Sequence, residues 1–96
     1  MTQQDILNEL EKIGHPAINY SLIKLGILTD IKLDNDNLSV VFAFPFPSIP
    51  IKDRLINSVA EPVKELGLDF SYKIRIMTEQ EKERFFELEK EAWKGL

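Results

Sequence analysis

The 96-residue sequence predicts an α+β fold: a two-layer sandwich of order α-β-β-α-β-α, with helices mainly on one face of a three-stranded mixed sheet. Three observations predict it. Segments 27–33, 38–44 and 69–77 alternate apolar and polar residues, as strands with one buried face do. Three other segments carry apolar residues at helical spacing. The first two strands are close enough for a hairpin, whereas a helix separates the second from the third and makes a crossover, which is right-handed as a rule.

Thr2 opens the first helix, with Asp5 at the place of the capping-box acid. Ile6, Leu7, Leu10 and Ile13 form its stripe, and Gly14 followed by Pro16 sets its end. A helical turn is expected between Pro16 and Gly26, with Ile18, Leu22, Ile23 and Leu25 partly buried. In the first strand Ile27, Thr29, Ile31 and Leu33 share one face, and Leu28, Asp30 and Lys32 the other. Asp34-Asn35-Asp36-Asn37 is a hairpin turn, because Asn and Asp tolerate positive φ. The second strand turns Leu38, Val40, Phe42 and Phe44 inward and Ser39, Val41 and Ala43 outward.

The stretch Val41–Asp53, VFAFPFPSIPIKD, then holds three of the five prolines. Pro45, Pro47 and Pro50 fix φ and cannot donate to a ladder, so the strand ends near Phe44. Ser48 is expected to cap a helix from about Pro50 to Leu66, with Ile51, Leu55, Val59, Val63 and Leu66 on its inner stripe. Pro62 should kink that helix, and Gly67 ends it. The third strand turns Phe70, Tyr72, Ile74 and Ile76 inward. Thr78-Glu79-Gln80-Glu81 is a full capping-box pattern opening a last helix over about 78–94. Phe85, Leu88 and Ala92 form its stripe, Phe86 and Trp93 lie beside it, and Glu79–Lys82, Glu81–Arg84, Glu87–Lys90 and Glu91–Lys94 are spaced as i,i+3 pairs. No linker or repeat divides the sequence, so residues 1–96 read as one domain.

Composition removes most chemistries. A net charge of −4 without a basic run argues against nucleic acid. There is no cysteine, hence no disulfide, thiolate nucleophile or thiolate ligand. The polar N-terminal segment has no signal-like apolar region, and no apolar run approaches the roughly 18 residues of a membrane span. A cytoplasmic protein without a membrane partner is expected. The single histidine, His15, supports neither a Ser-His-Asp arrangement with Ser48 and Asp53 nor a zinc site. Asp34–Asn37 lacks the glycine and bidentate glutamate of a calcium loop, and no phosphate loop is present. No cofactor, metal or catalytic residue is predicted. What remains is contact: Phe46 and Ile49 sit among prolines in a stiff apolar loop at a helix N-terminus, the kind of place where proteins dock.

The ordered series ILNELEKIGHP, SLIKLGILTDIKL, VVFAF and PSIPIKDRLINSVAEPVKELG resembles the metal-sulfur cluster assembly domain family. That domain, formerly one of unknown function, occurs in PaaD-like and SufT-like proteins and at the N-terminus of Mrp-type carrier ATPases. The resemblance runs from about Asp5 to Met77. It implies this same element order and an association with iron–sulfur cluster assembly. It departs from the family's pattern at three places. His15-Pro16-Ala17 stands where the family has Asp-Pro-Glu, Lys24 stands where it has an Asp before Leu25-Gly26, and Ile49 stands where it carries a cysteine. An isoleucine packs but cannot ligate.

These readings lead to a non-catalytic accessory or adaptor domain. It would bind a protein partner, an iron–sulfur assembly factor or client, through Phe46, Pro47, Ser48, Ile49 and Pro50. His15 and Lys24 would lie nearby if the family arrangement holds. The alternative is a regulatory or structural subunit of an enzyme such as an Mrp-type ATPase, with Phe85, Phe86 and Trp93 of the last helix as its interface. A homo-oligomer is left open. Direct catalysis or metal transfer would require His15 and carboxylates to assemble an oxygen- and nitrogen-ligated site.

Overall fold

The computed structural model describes residues 2–94. Its elements are α1 (Gln3–Leu10), β1 (Leu28–Asp34), β2 (Asn37–Phe44), α2 (Lys52–Glu65), β3 (Asp69–Ile76) and α3 (Glu79–Ala92). The strands lie in the order β1-β2-β3. β1 is antiparallel to β2, and β2 is parallel to β3. The predicted α+β class and element order are therefore observed. No helix among the described residues is long and apolar enough to cross a membrane.

β2 is the spine of the core. Leu38, Val40, Phe42 and Phe44 point to one face and are buried. They pack in one cluster with Ile6 and Leu10 of α1, Leu55, Val59 and Val63 of α2, and Phe85 and Leu88 of α3. On the other face Lys32, Ser71 and Lys73 are exposed. Ala43, expected outside, is nonetheless fully buried, and its N–H donates to the Ile27 carbonyl at 2.8 Å.

Several local expectations are corrected. α1 ends at Leu10 with Glu11 as its cap, not at Gly14. Gly14 pairs across to Ser21 instead, and the His15 N–H donates to the Tyr20 carbonyl at 3.1 Å. These bonds satisfy the backbone groups that a longer helix would have used. The expected helical turn is present at the end of the segment, where the Leu25 N–H donates to the Ser21 carbonyl at 3.1 Å; the residues before it form bends and isolated pairings, and Ile18, Leu22 and Leu25 are fully buried rather than partly. Gly26 takes the expected turn position at φ 78°.

β1 carries a bulge between Thr29 and Lys32, with Asp30 at φ 49°. One extra residue shifts the alternation by one. Leu28 therefore lies opposite Phe42 and Leu33 opposite Leu38, so both share the core face. The sequence reading had placed Leu28 on the opposite face from Leu33. In the hairpin, Asn35 carries the positive φ, 55°.

α2 begins after Ile51, and no side chain caps it. Ser48 is not its cap and Pro50 lies outside it, because the chain enters through a backbone turn in which the Lys52 N–H donates to the Ile49 carbonyl at 3.0 Å. The helix runs through Pro62 to Glu65. It closes in a Schellman motif: the Gly67 N–H donates to the Lys64 carbonyl at 2.9 Å and the Leu68 N–H to the Val63 carbonyl at 3.3 Å, with Gly67 at φ 81°.

β3 keeps the predicted alternation but not the predicted burial. Tyr72, Ile74 and Ile76 are 46%, 45% and 41% exposed, because β3 is an edge strand that the helical layer covers incompletely. The Thr78 capping box of α3 is complete. Glu81 pairs with Arg75 rather than Arg84, accepting two guanidinium bonds at 2.7 and 2.9 Å. The Arg75 bonds, with the Thr78 N–H, hold its carboxyl down to about 2.

Candidate functional site

The Pro-rich segment leaves β2 at Phe44 and immediately buries Pro45. The ring of Pro45 cannot extend the ladder and turns the chain outward. Phe46, Pro47, Ser48 and Pro50 are then exposed, while Ile49 is half-buried against the core. Beside this loop lies an apolar cleft of about 320 Å³. Its floor is Ile27, Phe44 and Leu55, and one wall is Phe46, Ile49 and Pro50. The opposite wall comes from α3 and its C-cap, with Phe85, Phe86, Glu89 and Trp93; His15 and Ala17 close one end.

The walls touch. The Phe46 ring lies 5.9 Å from that of Phe86, and Phe86 meets Phe85 edge-on at 5.7 Å. Offset and edge-to-face pairs of this kind add to simple burial. The row runs from the half-exposed Phe46 to the buried Phe85. Trp93, 52% exposed, stands on the rim.

The end of α3 is strapped to the loop bearing His15. The Asn19 N–H donates to the Ala92 carbonyl and the Lys94 N–H to the Ala17 carbonyl, both at 2.9 Å. The Tyr20 hydroxyl donates to Glu91 Oε1 at 2.8 Å. His15 itself is buried, and its Nδ1 accepts the Ala17 N–H at 3.0 Å. Burial first, then the Lys94 and Arg54 charges, push its pKa below the ordinary imidazole value. His15 is thus held neutral, with its proton on Nε2.

The structure brings His15, Phe46, Ile49 and Pro50 together on one cleft and leaves Pro47, Ser48 and Lys24 outside its lining. Lys24 instead places Nζ 4.1 Å from the Tyr20 ring centroid, a cation–π contact. The loop and the last-helix aromatics, read from the sequence as two alternative interfaces, are opposite walls of one cleft. Ala17, Ile27 and Leu55 were missed as lining residues. Their apolarity signals burial alone, and only the tertiary fold shows which buried residues border a gap. A broader depression of about 390 Å³ lies on the outer sheet face among Asp30, Lys32, Ser39, Ser71 and Lys73. It is formed by solvated strand side chains, with no loop or helix converging on it.

Cluster or metal ligation does not fit these residues. The chain has no cysteine, and Ile49 offers no donor where the family resemblance would place a thiolate. Among the described residues no three His, Cys, Asp or Glu side chains come together. Those lining the cleft are His15 and Glu89.

Known proteins share the fold and sequence of this chain in part. The chain aligns with an iron–sulfur cluster carrier protein of Helicobacter pylori at 26% identity over 68 residues, 71% of this chain and 18% of that protein. It spans less than a fifth of that relative. The crystal structure of a domain of unknown function, DUF59, from Bacillus anthracis superposes with a TM-score of 0.64 at 16% identity. That match covers 85% of this chain and 81% of the other, and it shows a shared fold. The sequence model describing the iron–sulfur cluster assembly protein family matches residues 3–75, from the start of α1 to one residue before the end of β3 and short of α3. A match over most of its length establishes that this chain belongs to the iron–sulfur cluster assembly protein family.

Proposed function

We propose that this domain is a non-catalytic adaptor in iron–sulfur cluster assembly, and that it holds an assembly factor or a client protein in the cleft between the Pro-rich loop and α3. One observation carries the reading. Where the family resemblance expects a reactive cysteine, this chain presents Ile49 on an apolar cleft whose rim exposes Phe46 and Trp93. Exposed aromatic side chains beside an apolar cleft are of the type that becomes the buried anchor at the centre of a protein interface. The cluster is then cargo or product of the partner and is ligated elsewhere.

The test is capture from an anaerobic lysate of the source organism, with wild type and Ile49→Glu in parallel. A charge in this half-buried position costs several kcal/mol on docking, so capture should fall by about a hundredfold or more. Wild type should retain iron–sulfur proteins that Ile49→Glu loses, with matching circular dichroism. Retention of no such protein by either form would sink the adaptor reading. Unfolding of Ile49→Glu would show instead that Ile49 plugs the core.

A second reading, a regulatory or structural subunit of an enzyme such as an Mrp-type ATPase, is favoured by the length relation. The matched relative is a carrier protein of which this domain corresponds to 18%. In that case the captured protein is an ATPase, and its turnover changes when the domain is added.

A further inference from the structure

The two edges of the sheet are built differently. The β1 edge is broken by the bulge at Asp30, a device that blunts edge-to-edge pairing. The β3 edge is not: its register with β2 is unbroken from Asp69 to Ile76. The Asp69 N–H donates to the Asp36 carbonyl at 2.7 Å and the Met77 N–H to the Phe44 carbonyl at 2.8 Å. Odd-numbered residues of β3 therefore face β2. By the alternation of a strand, Phe70, Tyr72, Ile74 and Ile76 direct their backbone groups away from the sheet. These same residues carry the exposed apolar side chains, Tyr72, Ile74 and Ile76 at 46%, 45% and 41%. Apart from the Ile76 carbonyl, which accepts a long bond from Arg75 Nη1 at 3.4 Å, outward backbone groups without a backbone partner among the described residues coincide with uncovered apolar side chains along this one edge.

We propose that a second copy of this chain covers that edge, its β3 pairing antiparallel across a two-fold axis so that Tyr72 faces Tyr72 of the other copy. The register follows from three conditions. Antiparallel hydrogen-bonded pairs must join outward-facing residues, so even positions meet even positions. Apolar side chains must meet apolar ones: centring on Tyr72 sets Phe70 opposite Ile74 and Leu68 opposite Ile76. Charges must not oppose like charges. This register sets Asp69 opposite Arg75, twice by symmetry, and Ser71 opposite Lys73. Centring on Lys73 would oppose Lys73 to itself, and centring on Ile74 would oppose Lys73 to Arg75; both are disfavoured. Centring on Ser71 leaves Ile76 uncovered. The result is one continuous sheet across an isologous interface, with its apolar layer closed on the helical side.

The experiment is sedimentation of the whole chain over a concentration series, beside Tyr72→Pro. Proline here removes an outward N–H and none of the bonds to β2, the one way an edge strand accepts it. Wild type should sediment as a dimer at the upper concentrations, and Tyr72→Pro as a monomer with native circular dichroism. Should Tyr72→Pro fail to fold, Asp69→Lys replaces it; by facing Arg75 it should weaken self-association about tenfold or more. Because the chain has no cysteine, Tyr72→Cys reports the register: mild oxidation should join two copies through it, and Ser39→Cys on the inner strand should stay unjoined. A wild type that stays monomeric throughout would overturn the proposal. So would a dimer that folded Tyr72→Pro or Asp69→Lys leaves intact.

Discussion

His15 shows how a single side chain couples the cleft to pH. Its Nδ1 accepts the Ala17 N–H, and Lys94 and Arg54 stand near enough to oppose a positive charge there. Protonation at Nδ1 would break that bond. The unfolded chain takes the proton more readily, so the folded-state pKa lies below the unfolded one. The stabilisation is complete above the ordinary imidazole value of about 6.5 and falls as pH drops through it. Denaturant midpoints of wild type should therefore decline as pH falls below about 6.5. His15→Asn, whose amide oxygen accepts the same bond without titrating, should flatten that decline; an equally steep decline would show that other groups govern it. At this scale the sequence was partly legible. The single histidine beside Pro16 marked a place, but not that its ring would be buried, because burial here depends on α3 arriving from the far end of the chain. The Arg75–Glu81 pair was hidden for a similar reason: its members lie six positions apart, and the contact spans a strand-to-helix turn that helical spacing does not describe.

At the scale of elements, punctuation was read best. Gly26 and Gly67 mark turns because they hold φ values of 78° and 81°, which other residues rarely adopt. Gly67→Ala should destabilise the domain by about 1 kcal/mol through loss of the Schellman closure of α2, measurable as a shift of the urea midpoint. No shift would mean that the turn relaxes without cost. The capping boxes of α1 and α3 were equally legible, since their bonds join residues three apart. What escaped was anything set by a partner element. The bulge in β1 is invisible to a count of alternating residues, and one inserted residue moved Leu28 onto the core face. Residues 16–26 keep the expected helical turn only from Ser21 to Leu25; before it, the pairing of Gly14 with Ser21 and of Ile18 with Trp93 shapes a tight loop. α2 continues through Pro62 to Glu65.

The whole molecule is a sheet whose helical side is finished unevenly, tight over β2 and open along β3. The fold class followed from periodicity and connection lengths, which are properties of the sequence. Strand order was not legible, because a crossover of this length can reach either side of the hairpin. The cleft was half legible. Its loop wall announced itself by three prolines and Phe46, but its union with the α3 wall exists only in three dimensions. That union makes a prediction of its own: Trp93→Ala should weaken partner capture in the same direction as Ile49→Glu, since both residues line one cleft. An aromatic that anchors an interface typically costs about 2 kcal/mol or more on truncation. Full capture by Trp93→Ala together with loss in Ile49→Glu would confine the site to the loop.

The strap between residues 17–19 and 92–94 also bears on how the molecule comes into being. A chain is made from its first residue onward, and the early loop with His15 must wait for Ala92 and Lys94 before its carbonyl and N–H partners exist. The sheet and the α2 layer can assemble sooner, since their contacts lie within residues already synthesised. The cleft is therefore among the last features to appear on a growing chain. Core and cleft both wait for α3, because Phe85 and Leu88 complete the one and Phe86 and Trp93 wall the other, so binding would report that synthesis had passed α3.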